Sequence, residues 1–261
     1  MFPRLISIGS FFLPTYGVLV ALGFLLGLYI TVRLARRAGL KPDLMVNLAI
    51  YSALAGLLGA KISMLLFDFP IYWAHPGEIF TRETLQAAGV YQGGLILGII
   101  VAAWYIRSQK LPWLTTFDVF SPGIAAGHAI GRLGCFAAGC CWGIPTRLPW
   151  GVTFRSPQAY DLTGVPLGIP LHPTQLYESL SEAILFAILF WRIRRPHAQG
   201  TIIGLYLILY SISRFVIEFY RFHEQARQLG LSLTQWMAIG LALLGVWILL
   251  NRKAKPAPAR A

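Results

Sequence analysis

Seven stretches of nearly continuous apolar sequence run along the chain, at about residues 11–32, 44–67, 91–106, 117–137, 175–191, 200–220 and 233–250. A helix needs about 20 apolar residues to cross the hydrocarbon core of a bilayer, so each stretch predicts a transmembrane helix. The third and fifth are short and leave little room for tilt. None alternates with period two, and all are too long and too uniformly apolar for the strands of an outer-membrane barrel. The first stretch is long and flows into Arg33, Arg36 and Arg37, unlike the short apolar core of a cleaved secretory signal, and is read as a retained helix. The expected fold is all-α: a polytopic membrane bundle of about seven transmembrane helices.

The polar punctuation sets the expected orientation. Arg33, Arg36, Arg37 and Lys41 fall in the first connection, Arg107 and Lys110 in the third, Arg192, Arg194 and Arg195 in the fifth, and Arg252, Lys253, Lys255 and Arg260 in the tail. Lys and Arg collect on the cytoplasmic side, so the N-terminus is expected outside and the C-terminus in the cytoplasm. Composition agrees, with 56% apolar and only 12% charged residues, far more apolar than a soluble core requires. The formal net charge of +12 is spread over short loops as anchors to an anionic inner leaflet. It is not gathered on one soluble face as nucleic-acid binding would need, so no nucleic-acid partner is expected. No internal repeat or long linker divides the chain. Residues 1–261 are read as one integral membrane domain, with outer-side interfacial segments at about 68–90 and 138–174 and a short basic cytoplasmic tail from 251.

Chemistry is sought at polar residues inside apolar stretches, since an arginine at mid-helix costs about 2.5 to 3.5 kcal/mol on insertion scales. Arg132 stands in Gly127-His128-Ala129-Ile130-Gly131-Arg132-Leu133-Gly134-Cys135. Its small neighbours allow close approach of a backbone or a ligand, and a planar guanidinium suits a phosphate. Arg214, Glu218 and Arg221 share one helical face. Two readings stand for these groups: ion pairs that fix helix packing, or a surplus of positive charge that holds a phosphate in a low-dielectric cleft. Cys135, Cys140 and Cys141 match no common zinc spacing and lack a nearby convergent histidine, so no metal is expected and a disulfide between two of them is favoured. His128 lies one turn before Arg132 and is a candidate proton acceptor, against the alternative that it only packs.

Gly131-Arg132-Leu133-Gly134-Cys135-Phe136, followed by Gly139 and Trp142-Gly143, resembles the signature of the prolipoprotein diacylglyceryl transferases. His172-Pro173-Thr174-Gln175-Leu176-Tyr177-Glu178 and Arg214-Phe215-Val216-Ile217-Glu218-Phe219-Tyr220-Arg221 resemble two further family blocks, and Tyr16-Gly17 and Gly93-Gly94-Leu95-Ile96 fit two more. The resemblance implies transfer of a diacylglyceryl group from phosphatidylglycerol to the lipobox cysteine thiol of a preprolipoprotein, with glycerol-1-phosphate released. It implies a multi-pass protein of the bacterial cytoplasmic membrane, an active site toward the outer face and no cofactor. Arg132 and Arg214 become the essential cations and Glu218 with Arg221 their support. Tyr16, Gly94, Gly134, Cys135, Gly143, Arg132 and Arg221 become the expected substrate-binding set. The chain departs from the family pattern at Gln92, where a catalytic histidine is usual, at Cys135 in place of asparagine, and at Cys140 in place of glutamate. An amide cannot take a proton at neutral pH, which makes His128 the candidate base beside the catalytic set of Arg132, Arg214, Gln92 and Glu218. The competing expectation is a paralogue that binds anionic phospholipid without this chemistry, or a thiol-dependent membrane protein using Cys135, Cys140 and Cys141.

Overall fold

The computed structural model describes residues 4–8, 11–81, 84, 89–222 and 228–252. Each of the seven apolar stretches coincides with a helix over most of its length: α1 (Thr15–Arg37), α2 (Pro42–Phe67), α4 (Tyr91–Ser108), α5 (Trp113–Ala138), α7 (Thr174–Ile193), α8 (Thr201–Glu218) and α9 (Leu233–Asn251), with residues 11–14 forming a strand instead. Among the described residues the connections hold the short helices α3 (Phe69–Ala74) and α6 (Pro157–Thr163) and a 3₁₀ turn over Pro76–Phe80. By length and hydropathy α1, α2, α8 and α9 are long and apolar enough to cross a membrane. Among the described residues strands are confined to two antiparallel pairs, β1 (Arg4–Ile8) with β2 (Phe11–Pro14) and β3 (Val152–Thr153) with β4 (Pro170–Leu171). Neither forms a closed sheet.

The helix ends follow local sequence. Pro42 opens α2 with Asp43 in its first turn, a proline at a position whose N–H would have no helical partner and an anion at the positive end of the dipole. Ser232 and Gln235 form a capping box at the start of α9. Ser156 accepts from the Ala159 amide ahead of α6, and Gly164 ends that helix at φ +71°, where a left-handed residue closes the last turn.

The chain divides into two units, residues 35–113 and the remainder. In the smaller unit α2 and α4 meet along a seam of glycines. A Cβ added to Gly59 would sit 2.5 Å from the Gly93 carbonyl oxygen, and one on Gly94 would sit 2.7 Å from that of Gly56. Small residues let helix backbones approach where lipid supplies no hydrophobic drive. Gly94 is therefore a packing requirement of this seam, and Gln92 stands exposed on the first turn of α4. The connection after α2 carries exposed Phe69, Trp73 and Phe80, as aromatic rings at a membrane interface do.

In the larger unit Gly23 and Gly27 of α1 lie against Gly127 and Gly123 of α5, each added Cβ reaching a carbonyl oxygen at 2.6 Å. Leu185 and Leu189 of α7 pack with Ile202 and Tyr206 of α8 and Ala125 of α5. A separate small core of Phe154, Ala159, Val165 and Leu171, edged by Trp142 and Val152, organises the segment between α5 and α7. Asp118 of α5 is buried and accepts from the amides of Gly200, Ile202 and Ile203 at 2.7, 2.9 and 2.8 Å. Its carboxylate caps the start of α8 from another helix, where the helix dipole favours an anion.

Candidate active site

The site forms around α7. Gln175, Glu178 and Glu182 are buried at i, i+3 and i+7, one polar stripe on an otherwise apolar helix. Buried carboxylates need charged partners, and the neighbouring helices provide them. Arg132 of α5 pairs with Glu178 Oε2. Arg214 of α8 reaches Glu178 Oε1 at 3.2 Å and Glu218 Oε2 at 2.8 Å, and Arg221, just beyond α8, lies 3.5 Å from Glu178 Oε1. Ser232 donates to Glu218 Oε1 at 2.9 Å. Three guanidinium groups thus share two carboxylates, a net charge of 3 − 2 = +1. Arg132 Nε is buried with no partner among the described residues, so this arginine keeps a donor to offer.

One turn further along α7, Glu182 Oε1 lies 3.0 Å from His128 Nδ1. A carboxylate at Nδ1 fixes the proton there and leaves Nε2 as the acceptor. His128 is thereby a paired imidazole, with the Tyr210 ring centroid 6.0 Å away. His172 occupies the entry to α7, its Nδ1 3.1 Å from the Tyr177 hydroxyl, which also accepts from Trp150 Nε1 at 2.9 Å. Burial pushes the His172 imidazole below its usual range, so it stands neutral at physiological pH.

The three cysteines follow the C-terminal end of α5. All are free thiols, where the sequence favours a disulfide. Two of them also have other neighbours: Arg132 Nη1 lies 3.7 Å from Cys135 Sγ, and the Cys140 thiol lies 3.7 Å from the Cys135 carbonyl oxygen. The Sγ atoms fall within 4.8 Å of one another. Backbone contacts hold the turn, since Gln175 Nε2 donates to the Cys140 carbonyl at 2.6 Å and Thr174 Oγ1 to that of Cys141 at 2.7 Å. Gly139 takes φ +84° and Cys141 φ +61°, the latter a costly conformation for a residue with a side chain. Hydrogen bonds from the two neighbouring thiols, helped by Arg221 and Arg132, hold the Cys141 thiol well below its ordinary range.

Arg132, Arg214, Glu218, Arg221, His128 and Cys135 therefore meet in the larger unit, with Gly134 seated against Tyr16, whose ring carbon an added Cβ would approach to 3.3 Å. Gly143 is fixed by packing: a Cβ there would sit 2.5 Å from the Tyr220 carbonyl oxygen and 2.6 Å from the His172 Cβ. Gln92 and Gly94 belong to the smaller unit. The pattern of charges along α8 misses Glu178 and Glu182 as partners. Their signal was the carboxylate spacing on an apolar helix, four residues apart.

The sequence profile of the prolipoprotein diacylglyceryl transferases matches residues 3–251. The chain belongs to this family. Relatives include a phosphatidylglycerol–prolipoprotein diacylglyceryl transferase of Clostridium tetani, 32% identical over 234 residues covering 89% of this chain and 90% of that protein. The transferase of the same name from Bordetella parapertussis is 35% identical over 97% of this chain and 96% of its own length. That from Nitratidesulfovibrio vulgaris is 34% identical over 98% and 96%. The transferase family thus accounts for nearly the whole chain, both units included.

Proposed function

We infer that this multi-pass membrane protein is a phosphatidylglycerol–prolipoprotein diacylglyceryl transferase, and that its chemistry is centred on Glu178. The observation that carries the site assignment is the convergence of Arg132, Arg214 and Arg221 on that one buried carboxylate, a cluster that Glu218 brings to a net charge of +1. A phosphodiester brings the cluster to neutrality. As the bond from glyceryl carbon to phosphate oxygen breaks, charge grows on the phosphate, and prepositioned guanidinium groups in a low-dielectric site stabilise that charge most.

In this reading Arg132 grips the lipid phosphate, using the Nε–H that has no partner among the described residues. Arg214 is the second cation, held in place by Glu218, and Arg221 supports the cluster through Glu178. His128, aligned by Glu182, takes the proton of the lipobox cysteine thiol, the role left open by Gln92. Tyr16, Gly134 and Cys135 face the lipid glycerol, with Gly94 and Gly143 the further members of the substrate-binding set suggested by the family pattern. The whole chain acts as one membrane domain in the bacterial cytoplasmic membrane. Seven helices span it, the N-terminus outside and the C-terminus in the cytoplasm, with the site toward the outer face.

The test is transfer from phosphatidylglycerol vesicles to a lipobox-cysteine peptide by the purified protein, together with rescue of lipoprotein maturation in a strain depleted of its own transferase. Thioether product and rescue are expected. Binding of phosphatidylglycerol without product would favour the non-catalytic paralogue instead. Reporters fused near residues 75 and 110 should respond as outside and inside, respectively.

A further inference from the structure

We propose that Cys135, Cys140 and Cys141 form a three-thiolate zinc site whose fourth coordination position takes the lipobox cysteine sulfur of the acceptor protein. The proposal rests on the transferase reading and supplies what that reading lacks, a strong means of ionising the acceptor thiol. It departs from the sequence expectation of no metal, because spacing along the chain could not show that the three thiols converge.

The geometry suits the ion. Zinc binds thiolate at about 2.3 Å, and a tetrahedral arrangement places the sulfurs ~3.8 Å apart. The three Sγ atoms already lie within 4.8 Å of one another, so small side-chain rotations close the site. A disulfide would use two thiols and strand the third, whereas a single ion engages all three. The turn is held for the purpose: Thr174 and Gln175 fix the Cys141 and Cys140 carbonyls, and Cys141 is kept in a left-handed conformation that a side chain adopts only where the surroundings enforce it. A neighbouring cation supports the ion as well. Zinc with three thiolates carries a net charge of −1, and Arg132 Nη1 stands 3.7 Å from Cys135 Sγ, so one cation of the phosphate cluster also borders the metal site. That juxtaposition places the sulfur nucleophile beside the leaving phosphate.

Three protein ligands with an open fourth position are the mark of a catalytic zinc rather than a structural one, and a thiol that coordinates zinc is deprotonated outright. The acceptor thiol loses its proton to His128 as its sulfur binds the metal. The sulfur pair then attacks the glyceryl carbon, forming the C–S bond as the C–O bond breaks. The bonding electrons stay on the phosphate oxygen, and the glycerol phosphate leaves with the proton returned by His128. The thioether product is a weak zinc ligand and departs.

The protein purified in phosphatidylglycerol nanodiscs should hold close to one zinc per chain, and Cys135→Ala, Cys140→Ala and Cys141→Ala should each lose it. Cobalt(II) loaded in place of zinc should give thiolate charge-transfer and tetrahedral d–d absorption. A lipobox-cysteine peptide should shift those bands and its serine counterpart should not. The three thiols should resist alkylation until a chelator is added. Chelation should lower transfer at pH 7 at least ~10-fold, reflecting the small thiolate fraction of a thiol with pKa about 8.5, and zinc should restore it. Full transfer by metal-stripped protein, a cobalt spectrum indifferent to the peptide, or alkylation protection lifted by reductant alone would each overturn the zinc site. If zinc-loaded protein forms no thioether, it is the transferase reading that fails, while the cobalt spectrum still decides the metal site.

Discussion

The α2–α4 seam and the α5–α7–α8 interface join helices of similar apolarity by opposite means. At the seam Gly56, Gly59, Gly93 and Gly94 bring two backbones together until no Cβ fits, and dispersion does the joining. Around α7 the helices are spaced by long side chains whose charges must find one another, Arg132, Arg214 and Arg221 on Glu178 and His128 on Glu182. Buried ion pairs are poor investments for stability alone, since desolvation offsets much of the attraction. A bundle able to pack through glycine has little structural need for them. The contrast supports the proposed chemical role of the charged interface and leaves the glycine seam to assembly.

The sharpest way to break this comparison is to remove a cation. Arg132→Ala and Arg214→Ala are each expected to lower transfer by about 10² to 10³, the scale of losing one prepositioned donor at a developing charge, with membrane levels of protein maintained. Arg214→Lys should remain poor because an ammonium cannot bridge Glu178 and Glu218 as a planar fork does. Near-wild-type transfer by either alanine variant, measured on purified protein, would return the arginines to a packing role. Next in size is the proton acceptor. His128→Ala should cost about 10² in rate, Glu182→Gln about 10-fold by loosening the imidazole, and Gln92→His should partly rescue His128→Ala. If His128→Ala matches the parent across pH 6 to 8, the imidazole moves no proton.

Changes in the seam should leave chemistry alone. Gly59→Val drives a side chain into Gly93 and Leu97 and is expected to cost ~1–3 kcal/mol by overpacking, read as a lower thermal midpoint in detergent, with the rate per folded molecule retained. Smallest of all, Asp118→Asn keeps an oxygen acceptor at the start of α8 but loses the charge. About 1 kcal/mol of stability should go with it; an unchanged midpoint would mean that the cap contributes no net stability.

Hydropathy alone marked the seven long helices among the described residues, four of them long and apolar enough to cross a membrane, because the signal of an apolar helix repeats at every turn. Helical periodicity likewise placed Arg214 and Glu218 together, since their spacing is local, whereas Arg221 lies just beyond the end of α8 and reaches Glu178. What it could not supply was the hub. Glu178 is 36 residues from Arg214 and 43 from Arg221, and His128 is 54 from Glu182. Such pairings depend on which helix neighbours which, and hydropathy says nothing of that. Where the sequence favours a disulfide the structure has three free thiols, for a related reason. Positions 135, 140 and 141 span the end of a helix and a tight turn, so their convergence depends on backbone angles at Gly139 and Cys141 that spacing does not reveal.

The Asp118 cap has a consequence for how the chain is made. Its partners, the amides at Gly200, Ile202 and Ile203, lie 82 to 85 residues downstream. At ~5–20 residues per second of synthesis, they emerge roughly 4 to 17 seconds after the aspartate. Until then α5 carries an uncompensated carboxylate near its start, and a partly neutralised or water-exposed position suits it better than hydrocarbon. Arrival of α8 removes that penalty. The order of synthesis thus leaves the Asp118 carboxylate without these amide partners until the start of α8 has been made.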